Sequence, residues 1–321
     1  MPTHDLLDRS HDDGLPREGR DHDDVPLSPT ELRLAASAEL DALSTVEVLR
    51  LLNGEDRVAV EAVAAVLPQL AEVVDLAAER FRRGGTVHYF GAGTSGRLGV
   101  LDAAELLPTF NLEPGRVVAH IAGGADALVN AIENAEDSHA QGRADAAGIG
   151  PDDLVIGLAA SGNTPYVGGA LAVAREAGAH TVLVSSNPHA ALAHLADTDL
   201  VLETGPEVLT GSTRLKAATA EKLVLNGFST ALMVAVGRTW SNLMVSVVAT
   251  NEKLRLRTVR ILQEAAGLEA DAARDLLIAA DGELKTAIVA ALADTDVPRS
   301  RTLLAEHSGS VRDALAAASG T

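Results

Sequence analysis

From Thr86 to Glu203 the chain alternates between short apolar runs and stretches of helical spacing, joined by glycine-rich turns. The runs Thr86–Phe90, Val117–Ile121, Leu154–Leu158, Thr181–Ser185 and Asp199–Glu203 read as strands. Arg97–Leu107, Asp126–Glu136 and Tyr166–Glu176 between them read as helices. Such alternation predicts an α/β fold in which parallel strands are joined by right-handed helical crossovers. Ligands of sheets built this way sit at the carboxyl ends of the strands. The 321 residues correspond to one large and one smaller domain at roughly 100–200 residues each. Apolar residues make up 47% but aromatics only 2%, so the core must be assembled from Ala, Val and Leu.

Around this region the pattern is helical. Residues 1–27 carry eight Asp/Glu against three Arg with no apolar period, and read as a disordered acidic tail. Order is expected to begin near Ser28, with a helix from Leu32 to Leu52 that Asn53-Gly54 ends. A second helical tract carries Val63, Leu67, Leu70, Val74 and Ala77 and stops at Gly84-Gly85. Pro68 kinks it or opens a new helix. Leu215–Leu262 reads as one long helical stretch. Ala270–Ala280, Glu283–Ala293, Arg299–His307 and Val311–Ala318 read as short helices. The expected division is a tail (1–27), a sheet-bearing domain (28–262) and a small helical domain (263–321).

Composition removes several classes of function. There are no cysteines, hence no disulfide, thiolate metal site or cysteine nucleophile. The formal net charge of −19 opposes bulk attraction to nucleic acid or anionic lipid, but not a small phosphorylated ligand. The N-terminus has no basic and apolar signal pattern, and no run approaches the ~18 residues of a membrane span. A cytoplasmic location is therefore expected. The sequence contains no HExxH, no GxxxxGK[ST] and no Gly-x-Ser-x-Gly. No metal or cofactor is implied.

Three glycine- and hydroxyl-bearing loops follow strands or open helices. The first, Gly91-Ala92-Gly93-Thr94-Ser95-Gly96, matches GxGxxG. The next strand, however, ends in Ile121-Ala122-Gly123, without the acidic residue that a dinucleotide site uses. Gly93, Thr94 and Ser95 at a helix start suit a monophosphate, through free N–H groups and the helix dipole. A dinucleotide or a purely structural turn are the other readings. The second loop, Ser161-Gly162-Asn163-Thr164-Pro165, has the same placement, and two such loops at neighbouring strand ends could clamp one phosphate. Ser161 or Thr164 could equally be a simple N-cap. In the third, Gly211–Lys216, Ser212 could cap the following helix and Lys216 could reach an anion. Glu105, with apolar neighbours, and Glu136 are the two carboxylates that stand out. Each taken alone is more readily a solvated surface residue.

Four longer words carry a resemblance. GAGTSGRLGVLDAAELLPT (Gly91–Thr109), AASGNTPYV (Ala159–Val167), PEVLTGSTRLKAATAEK (Pro206–Lys222) and NLMVSVVATNEKL (Asn242–Leu254) resemble the signatures of the N-acetylmuramic acid 6-phosphate etherases, in their order and approximate spacing. The resemblance implies a sugar isomerase (SIS) domain, a small C-terminal helical domain and a homodimer. It implies cleavage of the D-lactyl ether of N-acetylmuramic acid 6-phosphate, giving N-acetylglucosamine 6-phosphate and D-lactate, in cell-wall sugar recycling or catabolism. It maps the family's catalytic glutamate onto Glu105, and a second functional glutamate onto Glu136 of Ala135-Glu136-Asp137-Ser138. Glu105 would act as acid toward lactate and later as base for water. Glu136 would serve ring opening or proton transfer at C2. Asn163 stands where the family commonly has Arg, Ser241 where it has Gly. A non-catalytic sugar-phosphate-binding regulator resembling the glucokinase regulatory protein is the alternative reading.

Overall fold

The computed structural model describes residues 27–249 and 252–320. Nearly all of the expected acidic tail therefore lies outside the described residues. At the centre is a five-stranded sheet, all of whose paired strands are parallel. Its strands are β1 (Val87–Gly91), β2 (Val117–Ile121), β3 (Leu154–Leu158), β4 (His180–Ser185) and β5 (Thr198–Val201). Their spatial order is β2-β1-β3-β4-β5. The alternation of side chains along a strand divides the core into two. Tyr89, Ile156, Val182 and Val184 belong to one cluster, with helices α1 (Thr45–Arg82), α2 (Gly93–Phe110) and α5 (Lys216–Ala235). Phe90, Val155 and Leu183 belong to the other, with α4 (Pro165–Glu176) and the segment around α3 (His139–Asp145).

Several element boundaries differ from expectation for identifiable reasons. Residues 29–42 form short 3₁₀ turns in place of the expected helix. The long helix instead starts at Thr45, where Ser44 and Glu47 form a capping box. It then runs through Asn53-Gly54 and Pro68 to Arg82. Its buried stripe, from Ala59 through Val66 and Leu70 to Phe81, continues on both sides of Pro68. Pro68 and Ala64, whose carbonyl the proline leaves without its helical donor, are both exposed. Burial of the stripe thus outweighs two local breakers on the wet face.

The expected helix Asp126–Glu136 is instead a 3₁₀ turn, Ala125–Leu128, followed by irregular chain in which Asn134 adopts φ 58°. The helix forms later, as α3, where Ser138 accepts the N–H of Gln141 as its N-cap. Helix α3 lies against α4 at glycine contacts: a Cβ on Gly142 would overlap the Tyr166 carbonyl, and one on Gly169 the His139 carbonyl.

The expected continuous stretch Leu215–Leu262 is broken after Ala235. Gly237 takes φ 71°, and its carbonyl accepts from Lys285 Nζ at 2.7 Å. The chain resumes as α6 (Glu252–Ala266). Helices α6, α7 (Ala270–Ala279), α8 (Leu284–Leu292), α9 (Val297–Glu306) and α10 (Val311–Ala318) then share a third core cluster, with Val245, Leu262, Ala287 and Val311 among its members.

Candidate active site

The strand order decides where a ligand can enter. The chain passes from β1 outward to β2, then returns to the other side of β1 with β3. The loops after β1 and β3 therefore diverge at the switch point of the sheet, which opens a crevice between them. Gly91 pairs in register with Leu158, so Ala92–Gly96 and Ala159–Thr164 are the neighbouring loops the sequence suggested.

The first loop is tighter than GxGxxG alone implies. Helix α2 begins at Gly93, so Gly93, Thr94 and Ser95 form its first turn, and the first backbone bond back into the loop runs from Gly96 N to Ala92 O. The N–H groups of Gly93, Thr94 and Ser95 are the orphan donors of a helix N-terminus, suited to an anion. Gly93 is exposed and Thr94 half-buried. Ser95 points inward, its Oγ donating to Glu221 Oε1 on α5 at 3.1 Å.

The second loop is braced by the segment after β4. Asn187 Nδ2 donates to Ser161 O at 2.9 Å, and Ala191 N donates to Asn163 Oδ1 at 2.9 Å. Ser161 Oγ accepts from Asn163 N, and Leu192 N donates to Gly162 O. Gly162 adopts φ 69° against Ala190. Asn163 Oδ1 thus serves the scaffold. Thr164 sits at the N-cap position of α4 without a side-chain cap bond.

The third loop is occupied by structure. Lys216 is buried, its Nζ paired with Glu55 of α1. Glu207, also buried, accepts the backbone N–H groups of Lys216 and Ala217 at 3.2 and 3.0 Å, capping α5 from outside the helix. Burial raises the pKa of Glu207. Ser212 is half-buried in the turn ahead of α5.

Glu136 stands at the rim of a cavity of ≈ 230 Å³ whose lining includes Ala92, Gly93, Arg97 and Glu133. Arg97, also in the lining, donates to the carbonyls of Leu128 and Asn130 at 3.0 and 2.9 Å. The structure thus brings Glu136 and the Gly93 turn together. Glu105 lies elsewhere, exposed on the fourth turn of α2 and about 18 Å beyond Gly93 at a rise of about 1.5 Å per residue. Arg97, Leu101 and Glu105 recur every fourth residue and so share one face of that helix. A larger cavity of ≈ 520 Å³, lined by Arg82, Trp240, His307 and Arg312 among others, adjoins the C-terminal helices. It contains none of the glycine loops, so the strand-end crevice is the better candidate.

Arg97, Glu207 and Glu221 were not singled out in the sequence. Glu221 carried a usable signal: it falls between Ala217, Ala220, Val224 and Phe228, on the buried stripe of α5. A charged residue on such a stripe needs a reason.

Comparison with known proteins gives the family of this chain. A model of the glucokinase regulatory protein N-terminal SIS domain matches residues 69–175, and one of the SIS domain matches residues 130–225. The N-acetylmuramic acid 6-phosphate etherase of Thermobifida fusca is 55% identical over 84% of this chain and 88% of its own length. That of Streptomyces coelicolor is 53% identical over 88% of this chain and 92% of its own. The chain belongs to the N-acetylmuramic acid 6-phosphate etherase family. Among solved structures, a phosphoheptose isomerase from Francisella tularensis aligns with a TM-score of 0.46 at 17% identity, covering 59% of this chain and 98% of that one. The architecture of this etherase-family chain is a SIS-type parallel sheet with a C-terminal helical bundle.

Proposed function

We propose that the chain cleaves the D-lactyl ether of N-acetylmuramic acid 6-phosphate by elimination and water addition, yielding N-acetylglucosamine 6-phosphate and D-lactate. One observation carries the reading: in this etherase-family chain one cavity is lined both by Gly93, in the first turn of α2 with its free N–H donors, and by Glu136. The phosphate rests on the first turn of α2, with Gly93, Thr94 and Ser95, and faces Ser161–Thr164. With the sugar ring open, the C1 aldehyde acidifies the proton at C2. Glu136 takes that proton, the C3–O bond breaks, and its electron pair leaves with the lactate oxygen. Glu105, which within one chain lies about 18 Å along α2 from Gly93, is brought to the substrate by a second copy and protonates that oxygen. Water then adds its hydroxyl to C3, with Glu105 as base, and the proton returns to C2. Two carboxylates suffice for these steps.

The same reading includes a homodimer. Glu105 lies along α2 from the cavity, beside exposed Leu101 and Leu107, so a second copy packed on this face would enclose it. It also includes a cytoplasmic location; among the described residues no helix is long and apolar enough to cross a membrane. The test is incubation of the purified protein with N-acetylmuramic acid 6-phosphate in oxygen-18 water. D-lactate release with the label at C3 of the sugar is expected. Label in lactate would overturn the elimination route. Tight sugar-phosphate binding without lactate would favour the non-catalytic alternative, to which the match with the glucokinase regulatory protein domain gives substance.

A further inference from the structure

Beneath the first loop lies a carboxyl that the reaction above does not use. Glu221 on α5 is fully buried. One oxygen accepts from Ser95 Oγ at 3.1 Å, and the other is buried without a partner. An ionised carboxylate in that position would be stabilised by a single hydroxyl.

The ionisable groups on the elements packed around it are engaged elsewhere or exposed. On α2, Asp102 accepts from Tyr89 Oη of β1 and Ser229 Oγ of α5, and Arg97 donates to the carbonyls of Leu128 and Asn130. On α1, Glu55 pairs with Lys216, while Asp56 and Arg57 are exposed. Ahead of α5, Glu207 holds two backbone N–H groups and Arg214 is exposed; on α5 itself Lys222 is exposed. Burial raises the Glu221 carboxyl to about 7, opposed by the Ser95 hydrogen bond.

We propose that Glu221 is a positioning residue of the phosphate loop: as a carboxylic acid it donates its proton to Ser95 Oγ, which frees the Ser95 O–H to turn toward the phosphate. The proposal rests on the reading that this loop holds the phosphate. Ionised, Glu221 keeps the Ser95 proton for itself and sets a negative charge beneath the anion. A phosphate dianion therefore binds with uptake of a proton from solvent, which resides on Glu221.

Calorimetric titration of the full chain with N-acetylglucosamine 6-phosphate at pH 8, in buffers of different ionisation enthalpy, tests this. A phosphate monoester is then already a dianion, its second pKa being about 6. The wild type should take up about one proton, and its Kd should rise about tenfold per pH unit between about pH 7.5 and 9. Glu221→Gln supplies a permanent amide donor to Ser95, so it should take up none and show a flat Kd over that range. Thr94→Val reports on the loop alone and should weaken binding at every pH. No uptake by the wild type, or equal uptake by Glu221→Gln, overturns the proposal; weakened binding in Thr94→Val would leave the loop reading standing. If Thr94→Val binds like the wild type, the loop reading falls and the proposal with it. The wild-type uptake needs no variant, so a poorly folded Glu221→Gln would not shelter the idea.

Discussion

Gly91 and Gly96 meet backbone to backbone: a Cβ added to either would lie 2.7 Å from a main-chain atom of the other. This contact closes the turn between β1 and α2, and a Cβ at Gly96 would also strike Ile121 Cγ1 at 2.7 Å. Gly96→Ala should therefore cost about 1–3 kcal/mol or more, with sugar-phosphate affinity reduced as the first turn of α2 shifts. Thermal melting and a binding titration check both. A variant that melts with the wild type would show that the turn can open without penalty.

Glu105 and Glu136 are both exposed, so their amide replacements should leave stability within about 0.5 kcal/mol of the wild type. Activity should fall far more. Loss of a general acid or base removes about 10²–10⁴-fold from turnover. Glu105→Gln should abolish lactate release while still binding the phosphorylated sugar. Near-normal turnover in Glu105→Gln would sink its assigned role.

Asp102 supplies a pH signature. Burial raises its carboxyl from 3.8 to about 6, against hydrogen bonds from Ser229 and Tyr89 and the charge of Lys222. The folded state thus holds this proton more tightly than the unfolded chain. The stability gained is complete below the unfolded value and is lost as pH rises through about 6. Asp102→Asn mimics the protonated form. Denaturant titrations from pH 4 to 8 should show the variant gaining on the wild type by up to about 3 kcal/mol. Parallel stability curves would mean that the carboxyl is not perturbed.

Lys216 offers a test of scaffold against substrate contact. Its side chain is 3% exposed and that of its partner Glu55 is 21%. Removing one member of a buried pair costs about 3–5 kcal/mol, because the other charge is stranded, whereas replacing both with apolar residues is close to neutral. Glu55→Leu should be strongly destabilised, and the Glu55→Leu/Lys216→Met double variant should recover. A KM for the double variant near the wild-type value is expected. A large rise in KM would instead make Lys216 a substrate contact.

The sheet was the most legible part of the chain. Runs such as Leu154–Leu158 are buried on both faces, so sequence hydrophobicity and position in the fold coincide. The helices were harder where local and tertiary signals disagree. Asn53-Gly54 and Pro68 read as stops, yet the stripe they interrupt packs on α5 and carries α1 past them. Asp126–Glu136 has helical spacing but polar residues that favour turns, and the turns prevail until Ser138 caps α3. In the site, the two hydroxyl-bearing loops were visible because chain order places them at strand ends, whereas Glu136 stood out through the Ala135-Glu136-Asp137-Ser138 word of the resemblance. The contact of Glu221 with Ser95 and the pairing of Lys216 with Glu55 were not visible, since both depend on which helix faces reach α5 from α1 and α2. Ser241, at which the resemblance leads one to expect Gly, adopts φ 50°, in the left-handed region that favours glycine.

Tyr166 N donates to the carbonyl of Glu136 at 2.9 Å, and the glycine contacts at Gly142 and Gly169 hold α4 against α3. The fold therefore grips this glutamate by its main chain and asks nothing of its side chain. Such a position is a socket. A different acid, an amide or an imidazole could be fitted there without redrawing the backbone, so over evolutionary time the side chain at this position can change faster than the frame that presents it.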